Sequence, residues 1–293
     1  YQRILYPLLA RAVSFGQTEI IPWAMLIINI IAAVMSVWLL GKILRNNGYS
    51  PWFALSYGLF IGTLMSIRLN LNEPLAYLLA ILGMYLIEKT RIKWAILAFA
   101  LAALTKEIII LFPLAFGLEY LFMKRMKSAA AMVLAIIPLG LWKTILFFWL
   151  HDWGLNSGGA MATPFEWLPY AGWWKLAMIN FSGFLQISLV ILPLVILPSI
   201  LGIWISFRRL INKTWTAEVF LVLFYAGLIP FLPMSNIVDP MGISRMLMSL
   251  IIGFLYLGAK QKSISVLKNS LLFCLTSIFI WKDAFLPVGT YRE

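Results

Sequence analysis

The chain has 293 residues, of which 62% are hydrophobic and 12% charged, with one cysteine, one histidine and a formal net charge of +12. Soluble domains carry about 45–50% apolar and about 25% charged residues, so soluble globular, disordered, collagenous and disulfide-scaffold classes are excluded. What remains is an all-α polytopic membrane protein, in keeping with a mean hydropathy of +0.93.

Lone Cys274 and lone His151 leave no intrachain disulfide and no metal cluster, and no cofactor motif is present. The positive charge reads as basic membrane loops and not as a nucleic-acid surface. The opening segment, 1–19, starts YQRILYPLLARAVSFG. It reads as an amphipathic stretch at the outer interface, unlike a signal peptide, and its start at Tyr1 leads us to expect a further span upstream. Ten apolar stretches follow within one transmembrane domain, 1–293: 20–44, 51–67, 73–87, 94–104, 108–123, 129–150, 182–205, 216–232, 245–259 and 269–282. Several fall short of the about 20 residues that a membrane-crossing helix needs.

The region 94–123 is either one long helix or two short ones meeting at Thr105, Lys106 and Glu107. Loop charge decides between them. With two helices, 14 of the 23 basic residues but only three of the 11 acidic ones fall on one face. A single helix would split the basic loops between faces, against the positive-inside rule. The two-helix reading places Lys106 and Glu107 below the outer surface, where polar backbone is tolerated only inside protein or beside a watery cavity.

The remaining candidate residues face outward. Arg3 lies in the opening segment, Arg68 and Glu73 in RLNLNEP, and Asp239 and Arg245 in PMSNIVDPMGISR. Arg68 and Arg245 also fit snorkelling anchors, and Glu73 also fits an acid complementing a helix N-terminus. Asp239 also fits a solvated loop acid. The large outer loop, 151–181, carries Trp153, Trp167, Trp173 and Trp174. These suit an interfacial aromatic belt or a surface on which sugars stack. Neither a Walker motif nor GxGxxG occurs, which disfavours a nucleotide-driven pump.

The succession YQRILYPLLA, RLNLNEPLAYLLAILGMYL and LAALTKEIIILFPLAF resembles the GT-C superfamily of integral-membrane glycosyltransferases, relatives of protein O-mannosyltransferases and the bacterial aminoarabinose transferase. The resemblance implies a GT-C-like bundle of about ten spans in a bacterial inner membrane. It also implies sugar transfer from a polyprenyl-phosphate donor to a glycan, lipid or protein acceptor of the cell surface, on the non-cytoplasmic face. By resemblance, Lys106 in LTK binds the donor phosphate, with Arg3, Arg68 and Arg245 as further cations. Asp239, Trp153 and Trp167 are acceptor or sugar contacts. The family's catalytic acid is expected upstream of Tyr1, so this stretch alone is expected to bind without turnover; Glu73 and Glu107 are the candidate acids within it. A flippase of lipid-linked saccharides and a non-catalytic subunit of a surface-polymer complex are the alternatives.

Overall fold

The structure, a computed structural model, describes residues 3–151, 153 and 164–281. Asp152, Tyr1 and most of the tip of the 151–181 loop lie outside them. Among the described residues the chain is helical, without a strand. The segments are apolar on nearly every side, so each buries itself against neighbours or faces lipid.

Four helices are long and apolar enough to cross a membrane. They are α2 (Ile21–Asn46), α7 (Met126–Leu150), α9 (Phe181–Ile211) and α11 (Pro240–Lys260), the last qualifying over Gly242–Lys260. Between them run α1 (Leu5–Val13), α3 (Ile61–Arg68), α4 (Glu73–Glu88), α5 (Ile92–Thr105), α6 (Leu111–Phe122), α8 (Ala171–Ile179), α10 (Ala217–Leu228) and α12 (Ile264–Ser270).

The ten expected stretches thus do not become ten membrane-length helices. The stretch 51–67 breaks into the turns Pro51–Ala54 and Leu55–Gly58 and then α3, because Pro51 starts a new turn and Phe60 is extended. The last stretch continues α12 as tightly wound 3-10 helix over Leu271–Trp281. Short elements suffice where other helices cover their ends, since their backbone groups then find partners inside protein.

The core is built around α4 and α11. Tyr77, Ala80, Ile81 and Met84 of α4 are fully enclosed, as are Met248, Leu250, Ile251 and Ile252 of α11. α4 meets α5 closely at Gly83, where an added Cβ would lie 2.5 Å from the Phe99 ring. At the outside of the bundle, α1 lays Tyr6 and Ala10 against Ile28 and Ala32 of α2 while Leu8, Leu9 and Val13 stay exposed. That is the amphipathic pattern expected of the opening segment.

The region 94–123 turns back on itself. α5 ends at Thr105, Lys106 is extended (φ −156°, ψ 122°), and a 3-10 turn over Glu107–Ile110 leads into α6. The rings of Phe99 and Phe116 stack with centroids 5.9 Å apart. One continuous helix would separate them by about 25 Å along its axis.

Charges collect at the two ends of the central helices. α4 begins with Glu73 and ends with Glu88, about 22 Å further on. At the far end Glu88 pairs with Lys260, the last residue of α11 (3.1 Å), and accepts from Asn47 Nδ2 (3.3 Å). At the near end, Glu73 meets Arg245 from the early part of α11.

Candidate functional site

Asparagines position the first acid. Asn70 takes a left-handed conformation (φ 53°), which its short polar side chain tolerates. Its Nδ2 donates to the Pro22 carbonyl at the start of α2 (3.3 Å), and Asn29 Nδ2 of α2 donates to the Leu71 carbonyl (2.8 Å). Asn72 Nδ2 donates to the Thr105 carbonyl at the end of α5. The turn in RLNLNEP is thereby stitched to both α2 and α5, so the first residue of α4 and the residue after α5 stand side by side.

Those residues are Glu73 and Lys106. Lys106 Nζ lies 3.0 Å from Glu73 Oε1, and both side chains are enclosed, at 7% and 2% exposure. Arg245 Nη1 approaches the same oxygen at 3.7 Å. One turn further along α4, the Tyr77 ring lies 5.6 Å from the ammonium. Glu73 Oε2 and Tyr77 Oη are buried without a hydrogen-bond partner among the described residues.

A second set continues from the next residue. Glu107 Oε2 accepts from Arg3 Nε (3.1 Å), and its Oε1 lies 3.6 Å from Lys143 Nζ of α7. Tyr225 Oη of α10 donates to the Ile108 carbonyl (3.0 Å), which fixes the 3-10 turn from its other side. Two adjoining sets of ion pairs therefore lie at the break between α5 and α6. Four cations, Arg3, Lys106, Lys143 and Arg245, surround two carboxylates, Glu73 and Glu107.

The remaining sequence candidates take the following positions. Arg68 is exposed in the last turn of α3, outside these pairs. Asp239 is exposed just before α11, its carboxylate beside Gly242 and its carbonyl accepting from Ile243 N (3.1 Å). It therefore leads into the helix that carries Arg245. Trp153 has one ring face taken by Phe147, with centroids 4.4 Å apart. Trp167 stands almost wholly exposed, at 95%. Its neighbour Glu166 is held by Lys175 of α8 (2.6 Å).

Lys143 and Tyr77 are the members that sequence reasoning missed. Lys143 is a single cation inside the apolar stretch 129–150, in LGLWKTILF, and that isolation was the available signal. Tyr77 carried none. Among the described residues no group of acids, histidines or cysteines is arranged to hold a metal ion. Comparison with protein-family models, curated proteins and solved structures gives no match.

Proposed function

We propose that the chain belongs to a membrane glycosyltransferase of GT-C type, which passes a sugar from a polyprenyl-phosphate donor to a glycan, lipid or protein acceptor. The observation that carries this reading is the gathering of cations at the Glu73 end: Arg3, Lys106, Lys143 and Arg245 each lie within 4 Å of Glu73 or Glu107, and Lys106 is enclosed. Cations held together in a poorly hydrated place suit an anionic ligand, whose charge they stabilise more strongly than cations in water do. A phosphate ester joined to a lipid supplies one, and reaches the site from the bilayer.

The chemistry follows from the same charges. As the bond between the sugar and the phosphate oxygen breaks, negative charge grows on the phosphate. Lys106 and Arg245, held in place by Glu73, stabilise that charge more strongly than they would in water. Arg3 and Lys143, held by Glu107, extend the cationic wall. The acceptor hydroxyl must give up a proton to a carboxylate within hydrogen-bond reach. In this reading Glu73 and Glu107, already engaged by the cations, act as positioning residues for them. The ten-span bundle, the bacterial inner membrane and the outward-facing site belong to the same proposal. It orients the Glu73 end away from the cytoplasm because the basic loops gather at the other end.

A flippase for the same lipid-linked saccharides is the second reading, favoured by the ion pair placed at a break between two short helices, where transporters hold their substrates. The test is donor discharge by the full-length protein reconstituted with a panel of polyprenyl-phosphate sugars. Release of free polyprenyl phosphate in the presence of an acceptor, lost in Lys143→Gln, supports transfer. Movement of intact donor between leaflets without release would replace transfer by transport.

A further inference from the structure

The bundle carries a lipid-shaped feature at its basic end, away from the Glu73 set. An apolar groove of about 590 Å³ runs along α9, walled by Leu197, Leu201 and Trp204 and, across from them, by Phe254 of α11 and Leu272. A polar recess of about 350 Å³ adjoins it, lined by Arg208, Arg209 and Asn212. Trp204, Ile205 and Val266 wall both, so groove and recess form one trough.

Its dimensions and its charge fit one kind of occupant. From Leu197 to Arg208 the helix advances about 16 Å, close to half of the about 30 Å apolar thickness of a bilayer. A trough of that length matches the apolar thickness of one leaflet, and with its apolar end at the bilayer centre its two guanidiniums would reach headgroup depth. Neither Arg208 nor Arg209 has a carboxylate partner among the described residues. Glu218 of α10 stands behind the recess, but it is buried and accepts from Thr216 Oγ1 (2.7 Å) and Gln261 Nε2 (2.5 Å). Leu197, Leu201 and Trp204 remain 58%, 41% and 64% exposed within the protein, so the groove lacks a cover of its own.

An uncharged lipid would satisfy the groove but leave both guanidiniums unmatched. We propose that the trough binds one anionic phospholipid, with its phosphate on Arg208 and Arg209 and an acyl chain along residues 197–204. Guanidiniums suit this role because their planar donors grip phosphate oxygens two at a time. The polyprenyl-phosphate donor is a poor occupant here, because its sugar must reach the Glu73 set. Arg245 and Lys260 mark the two ends on α11, about 22 Å apart along the helix.

The test is lipid retention by the full-length protein in mixed micelles of phosphatidylglycerol and phosphatidylcholine, read by native mass spectrometry. The wild-type protein is expected to hold phosphatidylglycerol with a preference of about thirtyfold, the weight of two basic side chains at an anionic headgroup. Arg208→Gln with Arg209→Gln abolishes the preference, whereas Arg125→Gln with Lys127→Gln, at another basic loop, preserves it. Leu201→Trp, which fills the groove, weakens retention of both lipids. Melting curves show that each variant is folded. Equal retention of the two lipids by wild type, or a preference that survives the paired arginine change, would overturn the proposal. So would displacement by inorganic phosphate at equal concentration, since the chain would then contribute nothing. Preferential retention of polyprenyl phosphate through the same arginines would overturn it in favour of a donor site.

Discussion

Lys106 Nζ lies 3.0 Å from Glu73 Oε1, with both side chains almost wholly enclosed. Such a pair contributes little net stability, because desolvation offsets attraction, but removing one partner strands the other and costs about 3–5 kcal/mol. Arg245 remains 3.7 Å from Glu73, so Lys106→Met is expected to destabilise the protein by part of that amount, and Glu73→Gln added to it to restore some of the loss. Thermal unfolding in detergent measures both. A double variant no more stable than the single would show that the pair is not the element at stake.

The outer pair makes the opposite prediction. Arg3 and Glu107 meet at 3.1 Å but are 48% and 28% exposed, and partly solvated pairs contribute about 0–1 kcal/mol. Arg3→Gln should leave the melting temperature nearly unchanged while weakening donor binding about tenfold, equivalent to about 1.4 kcal/mol. An unchanged donor affinity would remove Arg3 from the site.

Because the chain reverses at Lys106, the loops on either side have defined faces. In a Cys274→Ser background, Arg45→Cys, Lys127→Cys and Lys262→Cys should react with an impermeant thiol reagent from one face. Arg68→Cys and Trp167→Cys should react from the other. All five positions are exposed. Labelling of Lys127→Cys from the Trp167 face would contradict the reversal.

A glycine sets the approach of α3 to the helix that carries Arg245. A Cβ at Gly62 would lie 2.6 Å from the Ser244 carbonyl, a backbone atom that cannot swing aside. Gly62→Ala should cost about 1–3 kcal/mol by overpacking and shift the first turns of α11. Stability and donor affinity are expected to fall together. A fully stable Gly62→Ala protein with unchanged affinity would contradict this coupling.

What the sequence revealed depended on whether a feature has one physical outcome. A lysine and a glutamate between two apolar runs at 105–107 cannot sit in lipid, so the break and the reversal were legible from charge alone. Helix lengths were not. Apolar composition says that 51–67 is buried but not that Phe60 is extended before α3. Arg3, Glu73, Lys106, Glu107 and Arg245 were visible as residues, yet their pairing required knowing that Asn72 ties α4 to α5. Lys143 was absorbed into an apolar stretch, since one lysine barely changes its average. Trp153 and Trp167 look alike in sequence but differ in place, one stacked on Phe147 and the other exposed.

The most direct test of the account is binding of a lipid phosphate at the Glu73 end, measured on reconstituted full-length protein with polyprenyl phosphate and with the uncharged polyprenol. The account predicts that the phosphate-bearing lipid binds, that the alcohol binds at least about tenfold more weakly, and that Arg3→Gln with Lys143→Gln removes the difference while Arg208→Gln with Arg209→Gln does not. Equal binding of the two lipids, or a preference untouched by the Arg3 and Lys143 changes, would contradict it.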